Sequence, residues 1–325
     1  MGNDNKEPLV GAILAAGKGT RIEPLSLTFP KTMLRICNKP IIELQIETMK
    51  SIGIKKIFIV LGHLKGHVMD YLKDGRDFGV NITYVEQKDP RGIAHAVAQL
   101  EDYIKVPFLV FLGDIHIKCK DLGKTMDMLQ KKNADAILIT KNEEDKELIK
   151  KNFSVILGKD EKVIRVIEKP RYPQNNLKGC GIYLFKPEIF DAIRRTSPSM
   201  IRNEIELTDS IQVFIDDMRN VYSLSEVEWD ININTAEDLL YCNLKSLKES
   251  NQKNIIGKNI EIHPATKIIN SVICDNVVIK NPIEIKNSCI LPDSVVESKE
   301  NINYGVISGK RYLNLEENFL NKDEI

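Results

Sequence analysis

The sequence predicts an α/β protein: a Rossmann-like mixed sheet clothed by helices, followed by a short left-handed parallel β-helix. Three observations predict it. Between residues 9 and 140, runs rich in β-branched side chains alternate with amphipathic stretches; a glycine-rich loop stands directly after the first run; and beyond Ile256 apolar side chains recur every six residues. Alternating strands and helices build a largely parallel sheet covered on both faces, with ligands bound beyond the carboxyl ends of its strands. Functional side chains are therefore expected just after strands.

Taken in order, residues 9–14, 56–61, 80–86, 108–112 and 134–140 read as strands, because their apolar residues run nearly unbroken and are bounded by turn formers. Residues 40–51, 65–73, 93–103 and 121–132 read as helices, the first with Pro40 at the helix start, where a missing N–H costs nothing. After Lys141 the pattern loosens. Residues 153–157, 163–168 and 181–185 predict further strands, and 187–195, 208–218 and 235–249 predict helices, with no linker to set them apart from what precedes. In the last quarter Ile256, Ile262 and Ile268 stand six apart, and Ile260, Thr266, Val272, Val278, Glu284, Ile290 and Val296 continue a spacing of six with two polar exceptions. Six-residue periodicity marks a β-helix, whose coils turn one side chain per flat face inward, and helix periodicity cannot produce it. The stretch holds only two or three coils, so it is expected to pack against the first domain or another subunit.

Composition narrows the class of partner. The chain has 325 residues, 42% of them hydrophobic and 28% charged, with 46 basic against 46 acidic residues. A net charge of zero gives no field to hold a nucleic acid polymer or an anionic membrane, so any anion must be gripped by local chemistry. No apolar run reaches the roughly 18 residues of a membrane-spanning helix. Residues 1–8 carry no hydrophobic signal core, and Lys6 stands where an acylation signal wants Ser or Thr, so a cytoplasmic location is expected. The six cysteines form no C-x-x-C pair, which points to reduced, mainly buried thiols rather than a disulfide framework or zinc site.

The loop Leu14-Ala15-Ala16-Gly17-Lys18-Gly19-Thr20-Arg21 is the most informative stretch. It is not an ATPase phosphate loop, which needs Gly-Lys followed by Ser or Thr, and not a dinucleotide fingerprint, which needs Gly or Ala where Ile22 stands. Two glycines still let backbone N–H groups approach an anion, and Lys18 and Arg21 add charge. A bare Gly-x-Gly would also serve a plain tight turn. Gly17-Lys18-Gly19-Thr20-Arg21 together with Pro24-Leu25 and Pro30-Lys31 is more specific, and it closely resembles the signature of the sugar-1-phosphate nucleotidylyltransferases, such as glucose-1-phosphate thymidylyl- and uridylyltransferases. Leu112-Gly113-Asp114, Glu168-Lys169-Pro170, Gly181-Ile182-Tyr183, Glu206-Leu207-Thr208-Asp209 and Trp229-Asp230-Ile231 through Thr235-Ala236-Glu237-Asp238-Leu239 follow in the family's order. The resemblance implies a nucleotidyltransferase catalytic domain over residues 1–250, with the hexapeptide-repeat β-helix and tail over 251–325.

In that family a sugar-1-phosphate oxygen attacks the α-phosphorus of a nucleoside triphosphate and pyrophosphate leaves, so the site needs cations, backbone donors and Mg²⁺ more than an acid or a base. The resemblance implies Arg21 and Lys31 as the cations on the triphosphate and Asp114 as a catalytic, metal-binding carboxylate, with Asp230 as the second metal ligand. An ion pair at about 4 Å contributes on the order of 4 kcal/mol at an effective dielectric near 20, so losing one such cation lowers the rate by orders of magnitude. Leu14, Ala16, Gly17, Gly19, Thr20, Gln87 and Gly92 are implied for the nucleotide, and Glu168, Lys169, Gly181 and Tyr183 for the sugar phosphate. A Gln amide offers a donor and an acceptor, which suits a uracil or thymine edge. Each residue also has a plainer reading: solvated charges for Arg21 and Lys31, a turn cap for Asp114, a loop-bonding carboxylate for Asp230.

Ser154, Cys180 and Thr32 depart from the family's pattern; the first two stand near the sugar position and leave sugar identity open. His63 and His67 are four apart, but Gly62 and Gly66 intervene and no third ligand is apparent, so they read as a solvated helix start. His263 alone is too little for a hexapeptide acyltransferase. The expected reaction joins glucose 1-phosphate to a nucleotidyl group from dTTP or UTP, with Mg²⁺, in a homo-oligomer. Mannose 1-phosphate with GTP, phosphocholine with CTP, and a non-catalytic regulatory subunit of the same fold are the alternatives.

Overall fold

The computed structural model describes residues 9–27, 29–200 and 203–320; the stretch 1–8, on which the expectation of no targeting segment rests, lies outside the described residues. The chain divides into two compact units, one made of Met1–Lys18 and Gln45–Asp230, the other of Gly19–Leu44 and Ile231–Ile325. No described helix is long and apolar enough to cross a membrane.

The first unit is built on a nine-stranded mixed sheet. Four strands, Phe108–Leu112, Val10–Ala15, Lys56–Leu61 and Asn81–Glu86, lie side by side and parallel. Their register sets Ala12 opposite Phe58 on one side and Val110 on the other. Near-continuous burial along Val10–Ala15, Lys56–Leu61 and Phe108–Leu112 explains why these segments read as unbroken apolar runs instead of alternating ones.

Beyond Phe108–Leu112 the sheet turns antiparallel. Leu177–Phe185 pairs there, and it also pairs with Ala136–Asn142 and Phe153–Leu157, while Val163–Glu168 and Val221–Leu224 complete the sheet outward. Residues 136–142 therefore do not extend the parallel run, as their place in the alternation suggests. The reason is Leu177–Phe185 itself, buried along its whole length after the first residue, whose backbone groups need partners on both edges. Phe153, Tyr183 and Phe185 stack in a row with ring centroids 5.8 and 5.6 Å apart, and Phe108 stacks on Phe190 at 5.4 Å. A separate ribbon, Ile115–Cys119 with Val227–Asn232, has no counterpart in the sequence reading.

The second unit gathers pieces from both ends of its sequence. Helix Ala236–Glu249 starts with a capping box, in which Thr235 and Asp238 exchange side-chain and backbone hydrogen bonds. Its apolar face, including Leu239, Leu240, Leu244 and Leu247, shares one core with Ile22, Leu34, Ile36 and Ile41 and with Val272, Cys289 and Val306 of the coils. Buried Asn243 fixes the arrangement: its amide donates to the Arg35 carbonyl at 2.9 Å and its Oδ1 accepts from the Cys37 N–H at 2.8 Å. The compact units thus do not divide at residues 250/251: the helix before that point is bound into the core of the coils after it.

Those coils form a parallel β-helix of three faces. Ile255 pairs with Val272, Val272 with Cys289 and Cys289 with Val306, and stacked side chains repeat at 17 residues, not at three strict sixes. The inward column is Ile262, Ile268, Ile273, Ile279, Ile285, Ile290, Val296, Ile302 and Ile307, so each coil advances by two steps of six and one of five. An uninterrupted spacing of six therefore slips by one residue per coil, which is how it came to include Thr266 and Glu284. The corners carry residues that tolerate positive φ: Asn259, Asn276 and Asp293 have φ of 54, 59 and 58°, and each amide donates to the next side chain, at 3.1 and 2.9 Å. Strand Arg311–Asn314 folds back antiparallel on Gly305–Ser308 and closes that sheet edge. All six cysteines are free thiols, four of them buried.

The shortened corner has a measurable consequence. Ile285 is fully buried while Glu284 beside it is only half-buried. Ile285→Ala should cost about 2–5 kcal/mol in urea unfolding, whereas Glu284→Ala should stay within about 0.5 kcal/mol; a strict six-residue register would reverse the order.

Candidate active site

In the first unit the expected residues collect where strands end. Leu14 closes Val10–Ala15, and its carbonyl accepts the Gly113 N–H at 2.9 Å, which binds the turn carrying Asp114 to the turn entering the glycine loop. Gln45 reinforces that turn, donating from Nε2 to the carbonyls of Leu112 and Ile115, both at 2.8 Å. Asp114 is half-buried.

Tyr183 is the common neighbour. It is 3% exposed, and burial first, then the charges of Glu168, Cys180, Asp114 and Glu206, push its phenol well above the usual value. The charges of Asp114, Glu168 and Glu206 are thus all felt at one buried phenol. Glu168 is held by Thr208, whose hydroxyl donates at 3.2 Å, and by the Lys169 ammonium at 3.5 Å. Lys169 has φ +43° while its N–H donates to the Asn152 carbonyl at 2.7 Å. A non-glycine residue held in the left-handed region marks a place where the surroundings impose the geometry. Gly181 has φ +68°, in the left-handed region that favours glycine, and a Cβ there would crowd the Ile115 side chain.

Gln87 follows strand Asn81–Glu86 and is 5% exposed. Its Nε2 lies 2.9 Å from Nδ1 of His95 and 3.5 Å from the Gly92 carbonyl. Burial, then Arg91, lowers the His95 pKa, so at neutral pH the ring is uncharged and its Nδ1 can accept. Gly92, with φ +108°, passes against the backbone of Ile205, and the next turn is fixed by the Ala94 N–H donating to the Ile205 carbonyl at 3.0 Å.

Asp230 faces a buried ammonium. Both of its oxygens accept from the Lys178 ammonium at 2.9 Å, with side-chain exposures of 1% and 3%. Glu143 Oε2 lies 3.7 Å from the same ammonium and 2.9 Å from that of Lys141. Burial pulls the Lys178 pKa down, but Asp230, Cys180 and Glu143 outweigh it and the net shift is upward. Lys178 and Glu143 were missed in the sequence. Their signal was a lysine opening an apolar stretch, Leu177-Lys178-Gly179-Cys180, since a charge on a buried strand demands a carboxylate nearby.

Gly19, Thr20, Arg21 and Lys31 belong to the second unit. There the Gly19 carbonyl accepts from the Ser26 hydroxyl at 2.7 Å and from the Ile22 N–H at 3.1 Å, which folds Thr20–Ile22 into a short 3₁₀ turn. Lys31 donates to Oδ1 of Asn234 at 2.9 Å, an acceptor that the sequence reading did not single out. Ala16 and Gly17 stay in the first unit at the end of its first strand. Among the described residues no group of three or more His, Cys, Asp or Glu side chains is arranged to hold a metal ion, His63 and His67 included.

Comparison with known proteins gives this geometry its setting. A family model described as nucleotidyl transferase matches residues 10–249. The chain is 31% identical over 292 residues to a glucose-1-phosphate thymidylyltransferase of Streptomyces antibioticus, spanning 87% of this chain and 76% of that one. It is 33% identical over 226 residues to the UTP–glucose-1-phosphate uridylyltransferase AglF of Haloferax volcanii, spanning 70% and 91%. Among solved structures, a UDP-glucose pyrophosphorylase complexed with UDP-glucose superposes with a TM-score of 0.66 at 26% identity, covering 74% of this chain and 99% of that one.

The Gly92 approach is testable. A Cβ at Gly92 would lie 2.5 Å from the Ile205 carbonyl oxygen and 2.7 Å from its nitrogen, both backbone atoms. Gly92→Ala should therefore lower stability by about 2–3 kcal/mol in denaturant unfolding.

Proposed function

This chain belongs to the nucleotidyl transferase family, and from that premise we propose that it transfers a nucleotidyl group from dTTP or UTP to glucose 1-phosphate, releasing pyrophosphate. The observation that carries the reading is the turn Gly113-Asp114 at the end of strand Phe108–Leu112, hydrogen-bonded to the end of strand Val10–Ala15 where the glycine loop begins, in a chain whose relatives act on glucose 1-phosphate. The sugar-phosphate oxygen attacks the α-phosphorus in line and pyrophosphate leaves, so the protein's work is positioning and charge compensation, with no covalent nucleophile.

In this proposal Arg21 and Lys31 offset charge on the triphosphate, and the backbone of Leu14, Ala16, Gly17, Gly19 and Thr20 lines it. Gln87 reads the base. Its amide carbonyl oxygen would accept from the N3–H of uracil or thymine, whereas cytosine carries an acceptor there. Lys169 holds the sugar phosphate, Glu168 accepts a sugar hydroxyl, and Gly181 and Tyr183 floor the sugar site.

Families of this kind generally use a divalent metal, and Mg²⁺ is the ion we propose, a hard cation suited to carboxylate and phosphate oxygens. Asp114 fits it, being half-buried beyond a strand end among other acidic groups. Asp230 does not, because a buried ammonium, Lys178, already stands 2.9 Å from both its oxygens and would repel a second cation there. When bound, the ion supplies charge compensation to the phosphates. We further propose a cytoplasmic homo-oligomer.

A coupled pyrophosphate-release assay over dTTP, UTP, CTP and GTP with glucose, mannose and choline phosphates tests the reading. Turnover should be highest with glucose 1-phosphate and dTTP or UTP, and Arg21→Ala should reduce kcat/KM about 10²–10³-fold. No turnover with any pair, or an Arg21→Ala protein equal to the unaltered one, would overturn it.

A further inference from the structure

The cluster around Asp230 carries an inference that rests on the proposed reaction but concerns residues outside its machinery. Lys141 and Lys178 stand directly opposite each other on neighbouring strands, Ala136–Asn142 and Leu177–Phe185. Like charges so placed repel unless carboxylates come between them. Here two do: Glu143 bonds Lys141 at 2.9 Å and lies 3.7 Å from Lys178, while Asp230 takes Lys178 on both oxygens at 2.9 Å. Two ammonium groups meet two carboxylates, so the cluster is already neutral. With the Lys178 and Asp230 side chains 3% and 1% exposed, the pair is also shielded from water and salt.

We propose that the cation resident at Asp230 is the Lys178 ammonium, and that Asp230 takes no part in holding the divalent ion. An incoming divalent ion would meet the Lys178 ammonium across the same carboxylate, cation against cation where water screens little, and drawing Asp230 away from Lys178 would leave that ammonium with only the more distant Glu143. Lys178 is a positioning residue. It ties strand Val227–Asn232 to strand Leu177–Phe185, three residues from Gly181 and five from Tyr183.

Two measurements on the full chain decide it. With saturating UTP or dTTP, Mn²⁺ binding followed by electron paramagnetic resonance should weaken at least tenfold in Asp114→Asn and change less than twofold in Asp230→Asn. In EDTA, urea unfolding of Lys178→Met, Asp230→Asn and the double variant should be non-additive, the double variant losing less than the two single losses together. Tenfold weaker Mn²⁺ binding in Asp230→Asn, or strictly additive unfolding, overturns the proposal. If the unaltered chain takes up no Mn²⁺ with any nucleoside triphosphate, the proposed reaction falls instead, and the unfolding cycle, which involves no metal, still decides the role of Lys178. The Mn²⁺ comparison needs only the two aspartate variants, so a Lys178→Met chain that fails to fold leaves the question decidable.

Discussion

Strand Leu177–Phe185 is the constraint on which the rest of the first unit depends. It is buried from its second residue onward and borders Phe108–Leu112, Ala136–Asn142 and Phe153–Leu157. A buried backbone must satisfy all its hydrogen bonds, so this strand converts a parallel sheet into a mixed one and sets the level of every residue around it. Gly181 takes a left-handed φ that favours glycine, with the Ile115 side chain crowding its Cβ position, Tyr183 must be flat to stack between Phe153 and Phe185, and Lys178 must bring carboxylates into the interior. Backbone, packing and charge demands are here imposed on the same nine residues.

Much of this was legible in the sequence, and the reasons differ by element. The parallel strands were plain because burial on both faces leaves continuous apolar runs. The turns Gly113-Asp114 and Glu168-Lys169 stood out through the family resemblance, and both follow directly on strand ends or close them. Less visible were elements stabilised only by tertiary partners. Residues 177–180 fall outside the strand expected at 181–185, since Lys178 and Gly179 are poor strand formers until carboxylates and the Phe153 ring surround them. The ribbon Ile115–Cys119 with Val227–Asn232 is short, polar on one side and exists through its pairing.

The role expected for Asp230 shows the same limit at the level of one side chain. A motif gives a residue type and a position along the chain, and an aspartate flanked by Trp229 and Ile231 matches both. What it cannot give is a partner 52 positions away that bonds both oxygens. The β-helix errs in the opposite direction: its period was visible, but a count of six hides the five-residue step, because one missing residue in 17 leaves most neighbours apolar.

The discontinuous second unit has a consequence for how the protein is made. Gly19–Leu44, which carries Arg21 and Lys31, leaves the ribosome early, yet the side chains that bury its Ile22, Leu34, Ile36 and Ile41 come from the helix and coils beyond Ile231. Domains on a growing chain generally fold as units once their sequence has emerged. The first unit can close as soon as Asp230 is out, while the cation-bearing segment stays without its core until translation is nearly finished. A half-made chain would thus carry a finished sheet while the segment with Arg21 and Lys31 stays unpacked, and its order arrives only with the last coils.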